Sequence, residues 1–207
     1  MSLLQANNLT RIFGGLAAVS DVSLEINENE LIGLIGPNGA GKTTLFNLLT
    51  GVYEPSAGTI ELNVKGKMKS IGGMPPYAIT KLGIARTFQN IRLFKRMSVL
   101  ENVKVSSNVH MNYGIFSAIF KTKKYWAEED KATQEAKEIL EVLGLSEFEE
   151  EQAQNLPYGK QRKLEIARAL ASHPAILCLD EPAAGMNPTE TEELMETIKI
   201  VREKFNT

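Results

Sequence analysis

The apolar positions of this chain change period along its length. Up to about residue 90 they come in short runs separated by Gly-rich turns. Leu3–Leu9 and Val19–Ile26 read as strands, the second placing Val22, Leu24 and Ile26 on one face. Leu31–Ile35 is a brief unbroken apolar run, the pattern of a strand buried on both faces of a parallel sheet. Thr59–Leu62 follows the turn residues Pro55, Ser56 and Gly58 and reads as another strand. Farther on, the spacing becomes helical. Lys124–Leu143 carries Trp126, Ala132, Ala136, Ile139, Leu140 and Leu143 among many charges, and Gly144 is placed to end that helix. A helix beginning near Gly159 continues through Leu164–Ala171, Ala175–Leu179 returns to a strand-like run, and Pro188–Phe205 is amphipathic with Leu194, Ile198 and Val201 on one face.

These elements predict an α/β fold whose parallel-sheet core is interrupted by a helical insertion. Residues 1–90 and 166–207 are assigned to the core and 91–165 to the helical part. A total of 207 residues suffices for one domain. The net charge of -2 gives no reason to expect a nucleic-acid partner held by bulk electrostatics, and no nucleic acid is expected. The single cysteine, Cys178, cannot build a disulfide framework or a Cys-based metal site and fits a reducing, cytoplasmic compartment. No stretch approaches the ~20 apolar residues that cross a bilayer, so any membrane work falls to other subunits.

Two motifs carry chemistry. Gly36-Pro37-Asn38-Gly39-Ala40-Gly41-Lys42-Thr43-Thr44 fits G-x-x-x-x-G-K-[ST], between an expected strand and an expected helix over Lys42–Leu49 ended by Gly51. Glycines let the backbone curl so that N–H groups converge on phosphate oxygens, and the helix N-terminus adds positive potential. Lys42 is suited to the β- and γ-phosphates and the Thr43 hydroxyl to Mg²⁺. Ile176–Leu179 then runs into Asp180 and Glu181. An acid at a strand end holds Mg²⁺ through its waters, and the next acid is placed to polarise an attacking water. Cys178, inside that strand, reads as a small core residue.

Further segments narrow the class. Leu156-Pro157-Tyr158-Gly159-Lys160-Gln161-Arg162-Lys163-Leu164-Glu165-Ile166-Ala167-Arg168-Ala169-Leu170 resembles the signature segment of ABC ATPases, usually L-S-G-G-Q. Gly83–Gln89 resembles their Q-loop, and Asp180–Pro188 their Walker B running into the D-loop. The order is correct and nearly the whole chain is covered. Within that family, Ala85–Asn102, Leu156–Leu170 and Glu181–Pro188 resemble the larger ATPase subunit of branched-chain amino-acid importers. Urea and amide importers have closely related ATPases. A soluble ABC ATPase without a transporter, or a non-catalytic nucleotide-binding module, are the other classes to distinguish.

The resemblance implies a P-loop NTPase fold with an N-terminal antiparallel β subdomain. It implies ATP and Mg²⁺ as cofactors. Gly36, Pro37, Asn38, Gly39, Ala40, Gly41, Lys42, Thr43 and Thr44 would cradle phosphates, and Phe13 would stack on adenine unless it is simply core. Thr43, Gln89 and Asp180 would serve the metal, with Glu181 as general base and Lys42 and Gln89 assisting. Leu156, Gly159 and Lys160 would meet the γ-phosphate held by a second ATPase subunit, a paralogue or a copy, in a head-to-tail dimer. Transmembrane permease subunits, and through them a substrate-binding protein, complete the implied partners at the cytoplasmic face of the inner (plasma) membrane.

The helical part, including Arg92–Glu101 and Tyr113–Trp126, would dock a permease coupling helix. Its apolar cluster Ile115, Phe116, Ile119 and Phe120, followed by Lys121, Lys123 and Lys124, either faces a membrane subunit or lipid, or packs back on the protein. The chain departs from the family pattern at Pro157, Tyr158 and Lys160 in the signature and at Asn187 in the D-loop. It also lacks a switch His, since His110 and His173 lie elsewhere. A fragment with impaired turnover is therefore expected.

Overall fold

A computed structural model of the chain describes residues 2–110 and 115–207, without the side chains of His110 and Ile115. Tyr113 and the His110 side chain thus lie outside the described residues. Two compact units result, each threaded by more than one segment.

The first unit comprises residues up to Arg86 together with Ala175–Asp180 and the last two residues. Strand β1 (Ser2–Phe13) pairs antiparallel with β2 (Leu16–Asn27) and with β3 (Ala57–Val64), and β3 pairs with β4 (Lys67–Ser70), in the order β2-β1-β3-β4. In β1 the buried positions are Leu4 and Ala6, then Leu9 rather than residue 8. The register shifts there, where Asn8 takes a left-handed φ of 52° and its amide donates to Asp21 Oδ1 at 2.6 Å. This bulge turns Leu9 back onto the apolar face. Helix α1 (Lys42–Leu49) adds Leu45, Leu48 and Leu49 to the same core, and α2 (Pro76–Leu82) adds Ile79. Strand β5 (Ile84–Arg86) runs parallel to β6 (Ile176–Cys178), contributing Ile84, Ile176 and Cys178.

The expected buried strand over Leu31–Ile35 does not form. These residues belong to no sheet, and their side chains lie on the surface, Ile35 being 94% exposed. A strand forms only where its N–H and C=O groups find a ladder. Among the described residues β5 and β6 pair only with each other, and the apolar run joins neither of them. Apolar content alone does not make a strand.

The second unit holds Thr87–Pro174 and Glu181–Phe205, and is helical. It contains α3 (Val99–Ser107), α4 (Ile115–Ile119), α5 (Lys123–Val142), α6 (Tyr158–Leu170) and α7 (Pro188–Phe205). Helix α3 starts with a capping box, Ser98 Oγ accepting from Glu101 N and Glu101 Oε2 from Ser98 N. Ala132, Ala136, Ile139 and Leu140 form the buried stripe of α5, and Gly144, at φ 67°, ends it. On α7, Leu194, Thr197 and Val201 are buried, while Ile198 is only half-buried. No helix among the described residues is long and apolar enough to cross a membrane.

Gly51, which stops α1, sits at φ 73°, and a Cβ there would lie 2.2 Å from the Met74 carbonyl oxygen. Both strain and clash oppose a side chain. Gly51→Ala is expected to lower unfolding stability by about 2 kcal/mol or more, read as a shifted urea midpoint at unchanged slope.

Candidate functional site

The chemistry-bearing residues divide between the two units. In the first, the loop Gly36–Thr44 leads into α1. Gly39 and Gly41 take φ of 83° and 85°, and a Cβ on Gly41 would stand 2.2 Å from the Ala18 carbonyl oxygen, so only glycine fits. The Ala40 N–H closes the loop on Pro37 O at 3.2 Å, and Asn38 is exposed. Gly41 caps α1 without a side chain, which leaves the first-turn amides uncapped. The Lys42 ammonium curls over the loop, donating to Gly36 O at 2.6 Å and Pro37 O at 2.8 Å. Thr43 is exposed in the first turn, with Thr44 beside it half-buried.

Asp180 follows β6 and is 4% exposed. Its Oδ2 accepts from Arg86 NH2 at 2.7 Å, while Arg86 NH1 donates to Asn47 Oδ1 at 2.6 Å and Thr50 Oγ1 at 3.2 Å. One guanidinium thus fixes the end of β6, the end of β5 and the C-terminal turn of α1. The motif search missed Arg86. The available signal was an arginine inside an apolar strand-like run, since a buried arginine requires a partner. Phe13 is not a core residue: it is 38% exposed, its ring 5.1 Å from that of Tyr53 in an edge-on contact, with the Arg11 guanidinium 4.6 Å from its centroid. Burial pushes the Cys178 thiol up to about 12, which suits an inert core residue.

In the second unit, Gln89 and Glu181 are both exposed, and Gln89 Nε2 donates to Glu181 Oε2 at 2.9 Å. Glu181 occupies a left-handed backbone position, φ 47°. The backbone around Gln89 is held by an ion pair that sequence reasoning also missed. Arg162, on α6, donates to Phe88 O at 2.8 Å and to Gln89 O, and pairs with Glu165 Oε2 at 3.2 Å. Glu165 Oε1 accepts from Arg92 N at 3.3 Å. Both side chains are almost wholly buried, so the helix of the signature segment grips the loop of Gln89 through charge-assisted bonds.

The signature segment begins with Leu156, buried, and Pro157, the residue capping α6. The Tyr158 hydroxyl donates to Ala184 O at 2.9 Å. Gly159 is packed so closely that a Cβ would stand 3.0 Å from Glu190 Oε1. The Lys160 ammonium lies 3.5 Å from the Phe148 ring centroid, a cation–π contact. Asn187 caps α7, its Oδ1 accepting from Glu190 N at 2.9 Å while Glu190 Oε2 accepts from Asn187 N at 3.0 Å. The neutral Asn187 amide supplies the capping half of this box and the Glu190 carboxylate the returning half. A groove of about 220 Å³ is lined by residues that include Gln89, Lys95, Tyr158 and Gln161.

Among the described residues no three His, Cys, Asp or Glu side chains converge as a metal cage. One carboxylate, Asp180, and one hydroxyl, Thr43, are hard oxygen donors. That sparse set fits Mg²⁺, which keeps waters and binds through one or two protein oxygens plus substrate phosphates.

A glycine curl opening a helix, with a buried strand-end carboxylate in the same unit, defines the P-loop NTPase class. The chain belongs to the ABC transporter family, which matches residues 19–184. It is 49% identical over 205 residues to the high-affinity branched-chain amino acid transport ATP-binding protein LivG of Salmonella typhimurium, covering 99% of this chain and 79% of that protein. It is 45% identical to the corresponding protein BraF of Pseudomonas aeruginosa, covering 99% of this chain and 78% of that one. Among solved structures, the ATP-binding cassette MJ1267 of an ABC transporter superposes with a TM-score of 0.82 at 30% identity, over 99% of this chain and 78% of that one. The ADP conformation of MJ1267 gives the same TM-score at 31% identity.

Arg86→Met would leave Asp180 buried without its cation. The expected loss is about 3–5 kcal/mol of unfolding stability, because one member of a buried pair is left uncompensated. Adding Asp180→Asn should restore part of that loss, and a double-mutant cycle by urea unfolding reads the coupling. Separately, Cys178 in the folded chain should resist a thiol reagent at pH 8 and react only after denaturation.

Proposed function

We propose that this chain is the ATP-binding and ATP-hydrolysing subunit that energises an importer of branched-chain amino acids. The hydrogen bond from Gln89 Nε2 to Glu181 Oε2 carries the catalytic part of this reading, because it orients a carboxylate as a general base. The substrate class follows from the names of the relatives LivG and BraF.

The loop Gly36–Thr44 cradles the triphosphate with backbone N–H groups, and Lys42 exchanges two neutral carbonyl partners for charged phosphate oxygens. Phe13, already backed by Tyr53 and Arg11, offers its face to adenine. Thr43 and Asp180 would hold Mg²⁺, with Asp180 already positioned by Arg86. Such an ion, when bound, would supply charge neutralisation for the phosphates. Glu181 takes the proton of the attacking water as the water oxygen bonds to the γ-phosphorus. The bond to the β,γ-bridging oxygen breaks, leaving ADP and phosphate. Gln89 keeps the Glu181 carboxylate aimed and, gripped by Arg162, links this chemistry to α6.

The chain acts in a head-to-tail pair with a second ATPase subunit, whose γ-phosphate meets the segment from Leu156 to Lys160. Membrane permease subunits couple the cycle to transport, and a substrate-binding protein delivers the cargo. The work takes place at the cytoplasmic face of the plasma membrane.

Calorimetry with a non-hydrolysable Mg²⁺–ATP analogue tests binding, and phosphate release tests hydrolysis. Lys42→Ala should weaken binding about 10–100-fold, the scale of a lost charged hydrogen bond. Glu181→Gln should retain binding and cut phosphate release by about 100-fold or more. Release unchanged by Glu181→Gln would remove the general-base assignment, and no binding by the unaltered chain would overturn the nucleotide reading.

A further inference from the structure

Away from the nucleotide-handling residues, the most exposed cluster of large apolar side chains lies on α4 and the turn into α5. Phe116 is 79% exposed, Ile119 67%, Phe120 73% and Trp126 51%. They do not pack back on the described protein. Lys121, Lys123 and Lys124 are all exposed and follow the apolar tips directly, while the acids Glu128, Glu129 and Asp130 come later on α5, where Glu129 pairs with Lys104 at 3.2 Å. Three exposed lysines thus lie immediately next to the exposed apolar tips in sequence.

The turn presenting these groups is built rather than loose. Thr122 N donates to Ser117 O at 3.2 Å, and the Ser117 and Thr122 hydroxyls lie 2.9 Å apart. Thr122 then caps α5, accepting from Tyr125 N. Lys121, at φ 44°, directs its ammonium to within 5.9 Å of the Trp126 ring, and the Tyr125 ring meets Trp126 edge-on. Apolar tips are thus flanked by aromatic rings and lysines, the arrangement that suits the boundary between acyl chains and headgroups.

Charge decides between a lipid and a protein occupant. The cytoplasmic loops of membrane proteins carry an excess of Lys and Arg, so a permease loop would meet like charge here. Anionic headgroups instead complement the three lysines. We propose that the α4–α5 turn anchors this chain to an anionic bilayer surface, with Phe116, Ile119 and Phe120 entering the acyl boundary and Lys121, Lys123 and Lys124 at the headgroup phosphates. This contact is independent of nucleotide and of the transported substrate.

The test is co-sedimentation of the full chain with vesicles of phosphatidylcholine, with and without phosphatidylglycerol, across a salt series. The expected result is binding to the anionic vesicles, at least about tenfold weaker on neutral vesicles and falling as salt rises. The triple charge reversal Lys121→Glu, Lys123→Glu, Lys124→Glu should remove the anionic preference. Phe116→Ser with Phe120→Ser should weaken binding to both vesicle types. All substituted positions are exposed, so circular dichroism and nucleotide binding should match the unaltered chain. Absence of binding to either vesicle, or binding that neither set of substitutions alters, overturns the proposal. Binding only to vesicles that contain permease subunits also overturns it and assigns the patch to a protein partner.

Discussion

A guanidinium buried in a protein interior must be answered by a carboxylate, and much of the first unit follows from that requirement. Arg86 and Asp180 side chains are 6% and 5% exposed and meet at 2.7 Å. They stand 94 positions apart in the chain, yet parallel pairing of β5 with β6 sets Arg86 opposite Cys178, two residues before Asp180. NH1 of Arg86 reaches Asn47 and Thr50, so the acid at the end of one strand is tied to the helix that opens at the phosphate loop. Position and charge are settled together by one side chain.

The second unit repeats this solution at a different place. Arg162 and Glu165 lie three residues apart on α6, neutralise each other inside the protein, and also hydrogen-bond the backbone from Phe88 to Arg92. A loop that must place one exposed amide, that of Gln89, is thereby held by main-chain contacts that do not depend on its own side chains. Tyr158 does similar work at the start of α6, where its hydroxyl reaches Ala184. The departures from the usual signature pattern are accordingly not idle positions: Tyr158 bridges two loops, and Lys160 rests on Phe148.

Local pattern made several elements legible. The alternation in β2, the helical stripes of α5 and α7 and the phosphate loop all depend on residues close together in sequence. Leu31–Ile35 shows where that reasoning ends, because a run of apolar residues becomes a strand only when another strand offers its hydrogen bonds. The bulge at Asn8 was hidden for a related reason: Leu3–Leu9 reads as one strand, but the turn of Leu9 onto the core face depends on Asp21 in the neighbouring strand. Arg86, Arg162 and Glu165 stand inside the segments that resemble the Q-loop and the signature, yet their roles were not legible there, because each is defined by what it touches across the fold. Arg86 alone left a trace, as a charge inside an apolar run.

Trp126 is the chain's only tryptophan, and it stands in the first turn of α5, beside the lysines that follow α4. Intrinsic fluorescence excited at the red edge of protein absorption therefore originates from that turn alone. The optical signal of the folded protein is a local polarity gauge for one surface, dark to events at the phosphate loop unless they alter the surroundings of α5. A change in emission colour on adding a ligand would accordingly report on where the indole sits, whatever happens to the adenine.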